Sequence, residues 1–103
     1  MARKNDQRSK ANRKEERLAK TRAHIEHARR RLSRSLLRPL LNNVRVFEVE
    51  ENNAGFPYLA CVDPEHGFVW LNPHTRPELG EAEWTFILGH HLLHQAARGR
   101  PGL

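Results

Sequence analysis

The sequence predicts an α+β fold: a long N-terminal helix, a small antiparallel sheet of about three strands, and a C-terminal helix that carries histidines. Three observations support it. Leucines and an isoleucine recur at helical intervals through a basic first third. Three short β-prone stretches follow. Residues 79–98 then read as an apolar, histidine-rich helix.

The first helix is expected over 12–37. Leu18, Ile25, Leu32, Leu36 and Leu40 recur on one stripe that Ala28 fills, between charged helix formers, and Pro39 limits its end. The stripe is thin near Leu18 and dense in "LSRSLLRPLL", so the C-terminal half should dock and the N-terminal half project. Residues 1–14 are almost wholly polar and are expected as a disordered basic tail, with 15–103 forming one small domain.

The strand candidates are "VRVFEVE" (44–50), "YLACVD" (58–63) and "GFVWLN" (67–72). In the first, Val44, Val46 and Glu48 share one face and Arg45, Phe47 and Val49 the other. The turn sequence "PEHG" predicts an antiparallel hairpin between the second and third. Trp70 and Trp84 are expected to pack between sheet and helix, and Cys61 to be a small core residue. The final helix is expected over 79–98. Glu78, Glu81 and Glu83 suit its positive N-terminus, and Arg98 and Gly99 suit its C-terminal end.

Charge divides the chain in two. Residues 1–39 hold fourteen Lys/Arg against four Asp/Glu, and residues 40–103 hold four against eight. The basic part invites binding of nucleic acid or an acidic partner through residues 1–38. Against that, Glu15, Glu16 and Glu26 interrupt it and it has no aromatic residue on which bases could stack. A solvated charged helix is the competing reading. His24 and His27 read as polar surface residues. The apolar stripe lacks Trp and Phe, and no apolar run nears the roughly 20 residues that span a bilayer, so no membrane association is expected. The single cysteine excludes an intrachain disulfide and fits a reducing, cytoplasmic setting. "MARKNDQRSK" is followed by no apolar segment of the secretory kind.

"GHHLLH" (89–94) carries the chemistry. His90 and His94 are four residues apart, one turn above each other on a helix, where two imidazoles can reach one zinc ion. In the pattern H-E-x-x-H the residue between them is the glutamate that serves as base. Here it is His91. A neutral imidazole accepts a proton but adds no negative charge, and protonating it beside a dication is disfavoured. His91 is therefore a poor base or an additional ligand. After His94, "QAARGRPGL" holds no His, Asp, Glu or Cys. Upstream candidates for a third ligand are His74, His66, Asp63 and Glu65. The plain alternative is an ordinary buried helix, with Phe86, Ile87, Leu88, Leu92 and Leu93 as core and Gly89 admitting another backbone.

From Leu32 to Gly99 the chain resembles the N-terminal part of a predicted bacterial metallopeptidase domain, found next to von Willebrand factor A-like domains. Three pieces carry the resemblance: a basic helix ending in "LRPLL", the strand "FVWLNP" (68–73), and the helix "EAEWTFILGHHLLHQA". The matching positions are Asn72, Pro73, Gly89, His90 and His94. The resemblance implies a partial zincin-like fold with His90 and His94 as zinc ligands. It gives no base, because His91 replaces the glutamate. The family continues beyond the motif helix, which implies a shortened, degenerate form: inactive, weakly active, or completed by a protein partner.

Overall fold

A computed structural model describes residues 2–51 and 56–98, with side chains from residue 10 onward. Six elements follow one another: α1 (Ala2–Ser33), α2 (Arg38–Asn42), β1 (Arg45–Glu48), β2 (Ala60–Asp63), β3 (Phe68–Leu71) and α3 (Glu81–Arg98). The architecture is α+β, as the sequence predicts.

Helix α1 is helical from Ala2, including the backbone of the stretch expected as a frayed tail, and its side chains over 10–17 are exposed. Its buried residues begin at Thr21 and continue through Ile25, Ala28 and Leu32. The C-terminal half docks and the N-terminal half projects, giving an elongated molecule of 64 × 30 × 16 Å. The helix stops at Ser33, four residues before the expected end. Serine hydroxyls there compete for helix carbonyls: Ser33 Oγ donates to Arg30 O (2.6 Å) and Ser35 Oγ to Leu32 O (2.7 Å). Pro39 then sits in the first turn of α2, where its missing N–H costs nothing. The break swings Leu36 off the stripe, and it is 97% exposed rather than part of the core.

The sheet has the order β1-β3-β2. The hairpin forms as expected, with β2 antiparallel to β3 and Cys61 opposite Trp70. Gly67 closes its turn at φ 71°, a conformation that strains residues with a Cβ, and donates its N–H to Asp63 O (2.9 Å). Strand β1 corrects the all-antiparallel expectation: it lies parallel to β3, with Phe47 beside Trp70. Alternation fixes which side chains share a face but carries no strand direction. The order places β3 at the centre, with β1 and β2 on its two sides. Parallel pairing gains a stacked Phe47–Trp70 pair (4.7 Å between centroids) and an edge-on Phe47–Phe68 pair (5.0 Å).

The register defines two faces. Val46, Val69 and Val62 form one row of the inner face, with Glu48, Leu71 and Ala60 beside them. Helix α3 packs on β2 and β3, and α1 packs on α3. The core joins Ile25, Ala28 and Leu32 to Val69 and Leu71 and to Trp84, Leu88 and Leu92. Trp84 is fully buried, as expected. Trp70 is not between sheet and helix; it stacks on the outer face, and Cys61 stands half-exposed in the same row rather than in the core.

Candidate metal centre

Helix α3 owes its position to both ends. Glu81 in its first turn accepts from Arg31 Nη1 (3.1 Å) and pairs with His27 Nδ1 (3.2 Å), tying α3 to α1. His27 thus serves an interhelical contact. Glu83 Oε2 accepts the Gly80 N–H (3.1 Å), a carboxylate capping the helix start. Leu88 and Leu92 enter the core, and Gln95 is buried near the hairpin turn, its amide reaching Pro64 O (3.5 Å). Gly89 faces the Leu37 and Leu32 side chains, not another backbone: an added Cβ would meet Leu37 Cδ1 at 3.3 Å and Leu32 Cδ2 at 3.7 Å.

Burying this stripe leaves the histidines outward. His90 and His94 are exposed, with Nε2 atoms 2.9 Å apart and ring centroids at 4.4 Å. One ring donates this bond and the other accepts it. Phe86 stacks on His90 (5.9 Å, 15° between planes). Phe86 and Leu93 are 72% and 53% exposed, so both flank the histidines rather than filling the core. His94 is pushed below its usual pKa by desolvation, then by the nearby positive charges of His90, Arg98 and His91. It therefore stays neutral, the form that ligates metals, further into acid than a free histidine.

The separation of the pair is close to that of two zinc ligands, although its nitrogens are turned to each other rather than to a common point. Two nitrogens at about 2.0–2.1 Å in a tetrahedral arrangement lie roughly 3.3 Å apart, so a few tenths of an ångström and a turn of the rings separate this pair from a chelating one. His91 departs from it. Its Nδ1–H donates to Ile87 O (2.8 Å), one turn back on its own helix, and its ring centroid is 6.2 Å from that of His94. That bond fixes the tautomer and leaves Nε2 as the acceptor.

None of the upstream candidates joins them. His74 Nε2 donates to the carbonyls of Val49 (3.2 Å) and Glu50 (3.0 Å), and His66 pairs with Asp63 (2.8 Å). Glu65 lies exposed in the hairpin turn. Among the described residues no group of three or more His, Cys, Asp or Glu is arranged to hold a metal. Asn72 and Pro73, matched by the resemblance, are buried and structural. Asn72 Nδ2 donates to Phe56 O (3.1 Å) and its Oδ1 accepts the His74 N–H (3.0 Å), locking the end of β3 to two loops.

The sequence reading missed the outer sheet face, where Phe47, Phe56 and Trp70 gather. Its signal was present: in "VRVFEVE" and "GFVWLN" the aromatics fall in the opposite phase to the buried valines. On that face burial and then the Asp63 charge push the Cys61 thiol pKa up, which disfavours the thiolate. Among the described residues no helix is long and apolar enough to cross a membrane. Comparison of the chain with family models, curated proteins and solved structures gave no match.

Proposed function

We propose that this chain is a metallopeptidase-like domain that binds zinc through His90 and His94 and hydrolyses peptides weakly or not at all. The carrying observation is the 2.9 Å approach of two exposed imidazole nitrogens one helical turn apart. Zinc, when bound, supplies Lewis-acid polarisation. The chain's own part is to present two neutral imidazoles on a helix whose opposite face is held rigidly in the core. What weakens the chemistry is position 91. A glutamate there would add an anionic base; His91 adds a neutral acceptor already bonded to its own helix through Nδ1.

The test is calorimetric titration of the metal-free protein with zinc. About one zinc per chain is expected, with a loss of at least tenfold in affinity for His90→Ala and for His94→Ala and little change for His91→Ala. An absence of stoichiometric binding, or equal binding by the His90→Ala/His94→Ala double variant, removes the reading.

A second reading, an interaction protein that binds nucleic acid or an acidic partner, draws on α1. Its described basic side chains over 10–20 stand exposed on a projecting helix. It predicts binding that weakens steeply with salt. Neutralising Lys10, Arg13, Lys14 and Arg17 together should reduce the salt slope, and no binding at low salt would end it.

A further inference from the structure

The sheet face turned away from the helices carries a groove of about 710 Å³, lined by Phe47, Phe56 and Trp70 together with Glu50, Glu51 and Asp63. Its size lies within the roughly 300–1,000 Å³ of ligand sites. Trp70 stacks on Phe47, and Phe56 meets it at 6.4 Å with the planes tilted by 54°. All three rings are half-buried and line the groove.

Charge decides which ligand. Aromatic sheet faces also stack nucleic-acid bases, but bases arrive with phosphates, and the four acidic side chains of the lining, Glu48, Glu50, Glu51 and Asp63, disfavour them. Asp63 in particular is held ionised: its hydrogen bond from His66 keeps the carboxyl below the usual carboxylate range. Among the described residues, Arg22 is the cation that borders Glu50 and Glu51, and neither of those carboxylates is in an ion pair with it. Arg22 comes near but donates to the Glu50 carbonyl oxygen (3.3 Å), not to a side-chain carboxylate. Arg45 lies two residues along the same face and is not among the lining residues.

We infer that this groove binds a basic peptide segment, taking an arginine side chain against Trp70 and Phe56 with Glu50 and Glu51 as its counter-charges. A guanidinium suits it better than an ammonium. It is planar, weakly hydrated, stacks on rings and pairs with carboxylates through two N–H bonds. The site is separate from the histidine pair on α3 and needs no metal.

The two tryptophans provide the test, because Trp70 lines the groove and Trp84 is buried in the core. The full chain, labelled with ¹⁵N, is titrated with an end-capped tri-arginine peptide while both indole N–H signals are followed. The Trp70 signal should move saturably and the Trp84 signal should stay. Capped tri-glutamine should move neither. Trp70→Ala should lower the affinity, read from backbone amides, by about tenfold, the order of one desolvated cation–π contact. Glu50→Gln with Glu51→Gln should weaken binding several-fold while leaving the spectrum that of a folded protein. The inference is overturned by any of three results: no saturable shift up to millimolar peptide, the same shift with tri-glutamine, or undiminished binding by the double glutamine variant. A saturable shift of the Trp70 signal by a single-stranded oligonucleotide added without peptide would overturn it as well.

Discussion

Replacing Gly89 by alanine should stabilise the protein, although the residue sits at the helix crossing directly before the histidine pair. The sequence invites the opposite expectation, that this glycine lets another backbone approach. The structure puts two leucine tips there instead. Within a helix, alanine gains about 0.8–1.0 kcal/mol over glycine through backbone entropy. The opposing term is contact. The new methyl would lie 3.7 Å from Leu32 Cδ2, which is ordinary, and 3.3 Å from Leu37 Cδ1, which is a few tenths of an ångström tight. Leu37 is only half-buried, so its tip can yield without disturbing the core. Overpacking costs about 1–3 kcal/mol in a rigid core, and a single flexible tip should cost well under the lower figure. The net gain should be about 0.5 kcal/mol, or roughly 2–4 °C in Tm for a domain of this size. Urea and thermal unfolding followed by circular dichroism would measure it, with zinc affinity unchanged within a factor of two. A loss of more than about 1 kcal/mol would show that the leucine wall is rigid and that the reasoning about the crossing is wrong.

Asn72→Ala should cost about 1–3 kcal/mol, since it leaves the Phe56 carbonyl and the His74 N–H without their partner in a buried corner. A urea midpoint unchanged from the natural protein would contradict it. Glu48→Gln should stabilise at neutral pH. Burial pushes the Glu48 pKa up, with Arg22 and Arg29 only partly offsetting it, and its Oε1 is buried without a hydrogen-bond partner. Because an acid with a raised folded pKa destabilises above that pKa and is relieved as pH falls through it, the advantage of Gln should shrink toward pH 4; unfolding midpoints at several pH values decide it. His91→Glu should create zinc-dependent peptide hydrolysis above the natural level, assayed with a fluorogenic peptide. A variant that binds zinc and gains nothing would show that more than the base is missing.

The elements were legible because each rests on local patterning. Periodic leucines marked α1, alternation marked β1, apolar β-prone runs around a turn sequence marked β2 and β3, and acidic and basic ends marked α3. Strand direction was not legible. It depends on where the segment after β1 travels, which no short-range pattern encodes, and the Phe47–Trp70 contact that rewards the parallel arrangement joins residues 23 positions apart. The early end of α1 was nearly legible. Ser33 and Ser35 stand where hydroxyls compete with the helix for carbonyls, whereas the reading gave the stop to Pro39 four residues on.

At the histidine pair, spacing alone set the geometry, because four residues on any helix bring two rings to one side. What spacing could not set was the fate of the neighbours. Leu88 and Leu92 had to enter the core, and that rotation carried Phe86 and Leu93 outward with the histidines. His91 instead bonds back to the Ile87 carbonyl of its own helix, a rotamer choice that spacing does not encode. The chain's charge division has its own structural meaning: the described basic side chains line a projecting helix, while acidic Glu50 and Glu51 border an aromatic groove on the sheet. Nucleic acid would need base stacking and phosphate neutralisation at one place. Here the described basic side chains of α1 over 10–20 are exposed and that stretch includes no aromatic ring, while the rings on the sheet are bordered by acidic side chains, with Arg22 of α1 reaching only the Glu50 carbonyl.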